Sequence, residues 1–106
     1  MTVQLAAVLS QIHQLATEKK VRFTLKAIEE LADLDMGLDV DDACDVLAAL
    51  SPAEFVERLQ SESTGEWMYV FKPHVAGVTV YVKLILREEC LVVSFHEDEP
   101  PHEEDS

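Results

Sequence analysis

The chain has 106 residues, of which 48% are hydrophobic and 27% are charged, and its formal net charge is −13. This length fits a single globular domain, and the composition excludes collagen-like, low-complexity and disulfide-framework proteins. No apolar run approaches the roughly 20 residues that span a bilayer, and because the first four residues (MTVQ) lack the basic region of a secretory signal, we expect none. Because Cys44 and Cys90 show no C-x-x-C spacing, we expect free thiols in a cytoplasmic protein without a membrane partner.

The negative charge is concentrated in two parts of the chain. Residues 27–57 contain ten acidic residues and no basic one, and residues 96–106 add six more acids. The first 26 residues carry a net charge of +3, and residues 58–95 are balanced. The overall charge makes direct DNA binding unexpected, but the less acidic segments leave an RNA partner open.

The first half of the chain carries helical signals. Apolar residues spaced three and four apart predict an amphipathic helix over residues 3–18, with Thr2 as its N-cap. A basic connector at residues 19–23 follows this helix. Thr24 is placed to cap a second helix, and Gly37 is placed to terminate it.

Two further capping signals follow. Asp39 or Asp41 is expected to cap a third helix. Residues 51–54 (SPAE) have the pattern of a capping box with proline at the first helical position, which predicts a short helix through residue 59. A loop over residues 60–66 then separates the helical half of the chain from the rest.

The second half is rich in aromatic and β-branched residues. Three segments, residues 67–72, 78–86 and 90–95, predict an antiparallel meander. Helices followed by strands are typical of an α+β domain, with the N-terminal helices packed on one face of a small antiparallel sheet. We assign residues 1–96 to this single domain and residues 97–106 to an acidic disordered tail.

Side-chain alternation along the strands predicts which residues face the helices. Trp67 on the first strand is expected to face the core, as are Leu91, Val93 and Phe95 on the last. The opposite face is expected to carry lysine, histidine, tyrosine and serine side chains with almost no acid among them. These residues are Lys72, His74, Tyr81, Lys83, Ser94 and His96.

Two explanations of this polar face stay open at this point. A one-sided antiparallel sheet ordinarily has a polar outer face, so solvation alone accounts for it. The alternative is RNA cleavage, which needs a base for the 2′-hydroxyl proton, an acid for the 5′-oxygen and cations for the charged intermediate. Histidine changes charge near neutrality and suits either proton-transfer role, so His96 is the leading candidate.

Several short segments occur in a distinctive order along the chain. They are residues 21–24 (VRFT), 35–39 (DMGLD), 49–51 (ALS) followed by Phe55, 67–73 (WMYVFKP), 80–84 (VYVKL) and 91–95 (LVVSF). Together they cover about residues 8–97. In this order and spacing the chain resembles the motility quorum-sensing regulator (MqsR) family of bacterial type II toxin–antitoxin toxins.

The resemblance implies an α+β fold like that of RelE-type ribonuclease toxins, and cleavage of mRNA without a metal or other cofactor. It also implies a cognate antitoxin that contains zinc and binds DNA. The family's catalytic tyrosine corresponds to Tyr81, and its lysine after the last strand corresponds to His96. Its helix lysine corresponds to Glu57 and its first-strand glutamine to Met68. The last two departures favour an alternative, a catalytically silent relative that acts by binding a protein.

The resemblance and the polar face together lead to specific role assignments. We predict that His96 acts as general base or acid and that Tyr81 hydrogen-bonds the scissile phosphate. Lys72 and Lys83 are predicted to contact neighbouring phosphates of the RNA. We predict no metal site.

Overall fold

The computed structural model describes residues 4–98, so the expected cap Thr2 and residues 99–106 of the expected tail lie outside the described residues. The helices are α1 (Leu5–Thr17), α2 (Leu25–Asp33) and α3 (Val40–Ala48), and Pro52–Glu54 form a 3₁₀ turn. The strands are β1 (Val21–Phe23), β2 (Phe55–Gln60), β3 (Trp67–Phe71), β4 (His74–Val75), β5 (Val78–Leu86) and β6 (Cys90–Glu97). The predicted α+β class is confirmed. Within the described residues, no helix has the length and apolar character needed to cross a membrane.

The starts of α2 and α3 follow the capping signals in the sequence, whereas α1 begins after Gln4 without a side-chain cap. The Thr24 hydroxyl accepts a backbone hydrogen bond from the third residue of α2, at 3.1 Å. Asp39 and Asp42 form a capping box at the start of α3, with hydrogen bonds of 2.8 and 3.1 Å. The expected role of Gly37 is wrong, because α2 ends earlier and Asp35 takes the left-handed position after it, with φ of 55°.

The expected short helix over residues 52–59 is wrong beyond its first turn. The Ser51 N–H does donate to the Glu54 carboxylate at 2.9 Å, as a capping box requires, but only a 3₁₀ turn follows. The chain then continues as β2, which pairs antiparallel with β3. Phe55 and Val56 favour extended backbone, and pairing with β3 satisfies backbone groups that a helix would otherwise satisfy.

The sheet is larger than the expected three-stranded meander. Its order is β1-β6-β5-β3-β2, with β4 paired to β5, and it is mixed because β1 runs parallel to β6. The segment interpreted as a basic connector therefore contains a strand. Val21 pairs with Cys90, and the local pattern of three residues gives no sign of so distant a partner.

An extra residue in β6 changes its side-chain alternation. Lys83 on β5 lies opposite Ser94, whereas the next residue, Leu84, lies opposite Val92. Val93 is therefore unmatched on β5, which is the arrangement of a β-bulge.

Because of this bulge, some side chains of β6 face the opposite side of the sheet from the one expected. Val92 and Phe95 are both fully buried in the core, although they are three positions apart. The expectation that Leu91 and Val93 face the core with Phe95 is wrong, because the bulge inverts the alternation between them. Beyond the bulge the expected sides hold, and His96 points away from the core.

The core lies between the helices and one face of the sheet. Its largest fully buried side chains come from α1, α3 and three strands: Ile12, Leu47, Phe71, Val80, Val82, Leu84, Val92 and Phe95. Cys44 and Cys90 are buried free thiols, as expected. Burial raises the pKa of Cys90 to about 12, so this thiol stays protonated. Trp67 does not join the core as expected: it is 41% exposed, beyond the edge of the core cluster, and the Arg58 guanidinium lies 4.1 Å from its ring centroid.

Beyond the end of β1, side chains of helix α2 contact the outer edge of β6. The Phe95 N–H donates to one carboxylate oxygen of Glu30 at 2.9 Å. The other oxygen pairs with the Lys26 ammonium at 2.8 Å, and Lys26 also donates to the Ser94 hydroxyl at 2.9 Å. A strand edge that would otherwise lack a partner is thus satisfied by side chains.

We expect Glu30→Ala to lower the free energy of unfolding by about 2 kcal/mol, because it removes the acceptor of the Phe95 N–H and the partner of Lys26. Glu29→Ala, an exposed substitution on the same helix, should change it by less than about 0.5 kcal/mol. Urea unfolding at neutral pH measures both values.

The effect of Glu30→Ala should also depend on pH. Burial opposes the charge of Glu30, but hydrogen bonds from Lys26 and Phe95 outweigh it and hold the pKa of Glu30 below its usual value of 4.5. A carboxyl group with a lowered pKa stabilises the fold at pH values above its usual pKa of 4.5. This stabilisation is lost as the pH falls through the lowered pKa. An undiminished difference between parent and variant in strong acid would contradict this account.

Candidate functional site

The sheet face opposite the core, hereafter the open face, brings Tyr81 and His96 together. They lie directly opposite each other on β5 and β6. Their rings are stacked, with centroids 5.0 Å apart and planes inclined by 12°. The two residues predicted to carry catalysis are therefore in contact, on neighbouring strands.

The hydrogen bonding of His96 defines which ring nitrogen is available. Nδ1 lies 2.8 Å from the backbone carbonyl oxygen of Glu97. A carbonyl oxygen only accepts, so Nδ1 is the donor and carries the proton of the neutral ring. Nε2 is then the nitrogen that can accept a proton and later return it.

The Tyr81 hydroxyl stays protonated at neutral pH. Burial raises the pKa of Tyr81 above its usual value, and the nearby Glu57 and Asp98 carboxylates act in the same direction. Lys72 and Lys26 oppose them but do not reverse the shift. Tyr81 is therefore a hydrogen-bond donor, which suits contact with an anionic oxygen.

The two lysines predicted to contact phosphate differ in their surroundings. Lys72, just after β3, pairs with the Asp98 carboxylate at 3.3 Å. Lys83 lies on the open face between Val70 on β3 and Ser94 on β6. Among residues 4–98, Lys83 forms no ion pair, whereas Lys26 and Lys72 each pair with a carboxylate. A phosphate therefore reaches the Lys83 ammonium without displacing a carboxylate of residues 4–98.

The expectation of almost no acid on this face is wrong. Glu57 on β2 lies opposite Val70 and therefore shares the face of Lys83. Glu30 from α2 and Asp98 after β6 also border the site. The sequence interpretation missed Glu57 because it treated this segment as helical; the aromatic and β-branched residues before it were the available signal.

His74 and Ser94 are on the expected face but have other partners. The Nδ1 atom of His74 shares a hydrogen bond of 2.9 Å with the Thr79 hydroxyl in the β4–β5 hairpin. Ser94 is buried and accepts its hydrogen bond from Lys26. Both residues therefore contribute to local structure rather than to the pair formed by Tyr81 and His96.

A shallow cleft of about 650 Å³ lies beside the stacked pair. Its walls come from the sheet and from the end of α2: Glu30, Asp33, Leu34, Tyr81, His96, Glu97 and Asp98. Among residues 4–98, no three His, Cys, Asp or Glu side chains are grouped to hold a metal ion. A second depression, of about 750 Å³, lies at the β5–β6 turn, where Arg22 and Arg87 pair with Glu89 and Glu66.

Known proteins match this chain over nearly all of the residues that the structure describes. Residues 6–97 match the family described as motility quorum-sensing regulator, toxin of MqsA. The chain belongs to the MqsR toxin family. It is similar to the mRNA interferase toxin MqsR of Escherichia coli (strain K12), with 33% identity over 90 residues that cover 84% of this chain and 90% of that protein.

We expect the neutral ring of His96 to carry its proton on Nδ1. His13 is a matched control, because its Nε2 donates to the Leu50 carbonyl oxygen at 2.8 Å and should give the opposite tautomer. Nitrogen-15 NMR of the two imidazole rings distinguishes these forms. Finding Nδ1 of His96 unprotonated in the neutral ring would contradict the geometry.

Proposed function

We propose that this chain is an mRNA interferase, an endoribonuclease that cleaves single-stranded mRNA in the cytoplasm without a metal ion. The observation that supports the proposal most is the stacked Tyr81–His96 pair on the open face. Membership of a toxin family, together with similarity to a protein named as an mRNA interferase toxin, gives that pair a substrate class.

The chemistry requires two proton transfers at one phosphate. The 2′-oxygen forms a bond to phosphorus while the bond from phosphorus to the 5′-oxygen breaks, which leaves a 2′,3′-cyclic phosphate and a 5′-hydroxyl. The 2′-hydroxyl proton goes to a base, and the 5′-oxygen takes a proton from an acid. We assign one of these transfers to Nε2 of His96, and Tyr81 donates a hydrogen bond to a phosphate oxygen.

Lys83 and Lys72 hold neighbouring phosphates in this proposal. Lys83 is two residues from Tyr81 along β5, about 6.6 Å, and projects to the same face. Lys72 reaches a phosphate only by exchanging its contact with Asp98, so its contribution to binding is the smaller of the two.

A cognate antitoxin is the second partner in the proposal. The family is described as the toxin of MqsA, which supports a protein that binds and neutralises this chain. We propose that this antitoxin contains zinc and binds DNA, and that the toxin alone does not bind DNA because of its charge of −13. Co-purification followed by measurement of zinc in the complex tests the partner separately from the cleavage.

A second candidate function rests on specific residues. Glu57 and Met68 stand at positions where the family resemblance implies lysine and glutamine, and Glu57 lies on the open face. These departures favour a silent relative that acts by binding a protein. RNA cleavage by the purified chain separates the two candidates.

We expect the purified chain to cut a defined single-stranded RNA in the presence of EDTA. His96→Ala and Tyr81→Phe should each lower the cleavage rate by about 10²-fold or more, because they remove a proton-transfer group and a phosphate donor. His74→Ala, in the β4–β5 hairpin, is the matched control for the loss of an imidazole and should leave the rate unchanged.

Binding of phosphates is tested with a lysine pair. Lys83→Gln should raise KM with little change in kcat, since the lysine contacts substrate away from the reacting bonds. Lys19→Gln should change neither, because Lys19 pairs with Asp41 of α3, away from the open face. Intact RNA, in an assay where the antitoxin still binds, would reject the enzyme in favour of the second candidate.

A further inference from the structure

Cleavage of RNA needs a base and an acid, and at neutral pH the Tyr81–His96 pair supplies one proton-transfer group, the His96 imidazole. Tyr81 does not ionise there, because burial raises its pKa. Two nearby carboxylates are occupied, since Glu30 pairs with Lys26 and Asp98 pairs with Lys72. Asp33 lies at the end of α2, and Glu97 is opposite Val80, which faces the core, so neither projects from the open face of the sheet. A second proton-transfer group on the open face therefore has to come from another strand.

Glu57 is a carboxylate on this face with a different environment. Within residues 4–98 it forms no ion pair, and its side chain is exposed. The register between β2 and β3 shifts immediately before it, so that Val56 is an extra residue. Bulges of this kind re-aim side chains and occur often beside active sites.

The strand register places Glu57 and His96 on opposite sides of Tyr81. Glu57 is opposite Val70, which is opposite Lys83, two residues from Tyr81 along β5. Glu57 is two strand spacings across the sheet from Tyr81, about 10 Å, and is displaced by about 6.6 Å along the strands, so their backbones are about 12 Å apart. His96 is one spacing from Tyr81 on the other side, about 5 Å. A phosphate bound at the Tyr81 hydroxyl therefore has a carboxylate on one side and an imidazole on the other.

This arrangement matches the geometry of an in-line displacement. The attacking 2′-oxygen and the leaving 5′-oxygen lie on opposite sides of phosphorus, so the base and the acid must also lie on opposite sides. Lys72, Lys83 and Tyr81 are the charged and titratable groups that β3, the residue after it and β5 place on the same face as Glu57. The groups around His96 are Tyr81, Lys26, Glu30, Asp33, Glu97 and Asp98.

We propose that Glu57 is the general base and that the His96 imidazolium is the general acid of RNA cleavage. This inference rests on the proposed function. The Glu57 carboxylate takes the 2′-hydroxyl proton as the bond from the 2′-oxygen to phosphorus forms. The bond from phosphorus to the 5′-oxygen breaks, and Nε2 of His96 gives its proton to that oxygen. Exchange with solvent then returns Glu57 to the carboxylate and His96 to the imidazolium.

The pH dependence of kcat/KM tests this assignment. Glu57 as base and His96 as acid predict a bell-shaped profile, with activity lost in acid as the carboxylate protonates and lost in alkali as the imidazolium deprotonates. The reverse assignment, with neutral His96 as base, predicts activity that rises across the same neutral range. A rise through neutrality in the parent would overturn the proposal.

Glu57→Gln supplies the second test, because glutamine keeps the shape of the side chain but cannot accept the proton. We expect kcat to fall by about 10²–10⁴-fold and the acidic limb of the profile to disappear. Glu62→Gln, in the exposed β2–β3 loop, is the matched control and should match the parent. Thermal unfolding of both variants verifies that the fold is kept.

The possible results distinguish the role of Glu57 from the proposed ribonuclease function. Full activity of Glu57→Gln with an unchanged profile would overturn the role of Glu57, while loss of cleavage in His96→Ala would leave the ribonuclease in place. Faster cleavage by Glu57→Lys, which restores the type of residue implied by the resemblance, would also overturn it. An inactive parent at every pH would reject the proposed function itself.

Discussion

An extra residue in β6, Val93, determines which side chains of this strand reach the core and which reach the open face. Phe95 is fully buried, so the strand beyond the bulge must turn His96 away from the helices and onto Tyr81. On the outer edge, β1 covers the first part of β6, and Glu30 satisfies the Phe95 N–H where β1 ends. His96 therefore stands on a strand that has partners along both edges.

Local signals in the sequence predicted much of this fold. Thr24 and Asp39 cap the helices they were expected to cap, and β3, β5 and β6 follow from their composition and short turns. The two edge strands could not be predicted in the same way. Strand β1 depends on pairing with β6, about seventy residues away in the sequence. The capping box at Ser51 indicated a helix, but the residues after it form β2 because they pair with β3.

Part of the candidate site could also be predicted from local signals in the sequence. Tyr81 and His96 face one another because they lie on adjacent antiparallel strands, which alternation and turn position already indicate. The acids beside them depend on tertiary structure, since Glu30 arrives from α2 and Glu57 from a strand that resembled a helix. Both Glu30 and Asp98 form ion pairs with lysines, Lys26 and Lys72.

The central claim is that this face cleaves RNA through attack by the 2′-oxygen, and the ends of the cleavage products test it most directly. Mass spectrometry of a defined RNA after incubation with the purified chain identifies those ends. We expect fragments with 2′,3′-cyclic phosphate and 5′-hydroxyl ends, which are absent when His96→Ala replaces the parent. Intact RNA, or fragments with 5′-phosphate ends, would contradict the account.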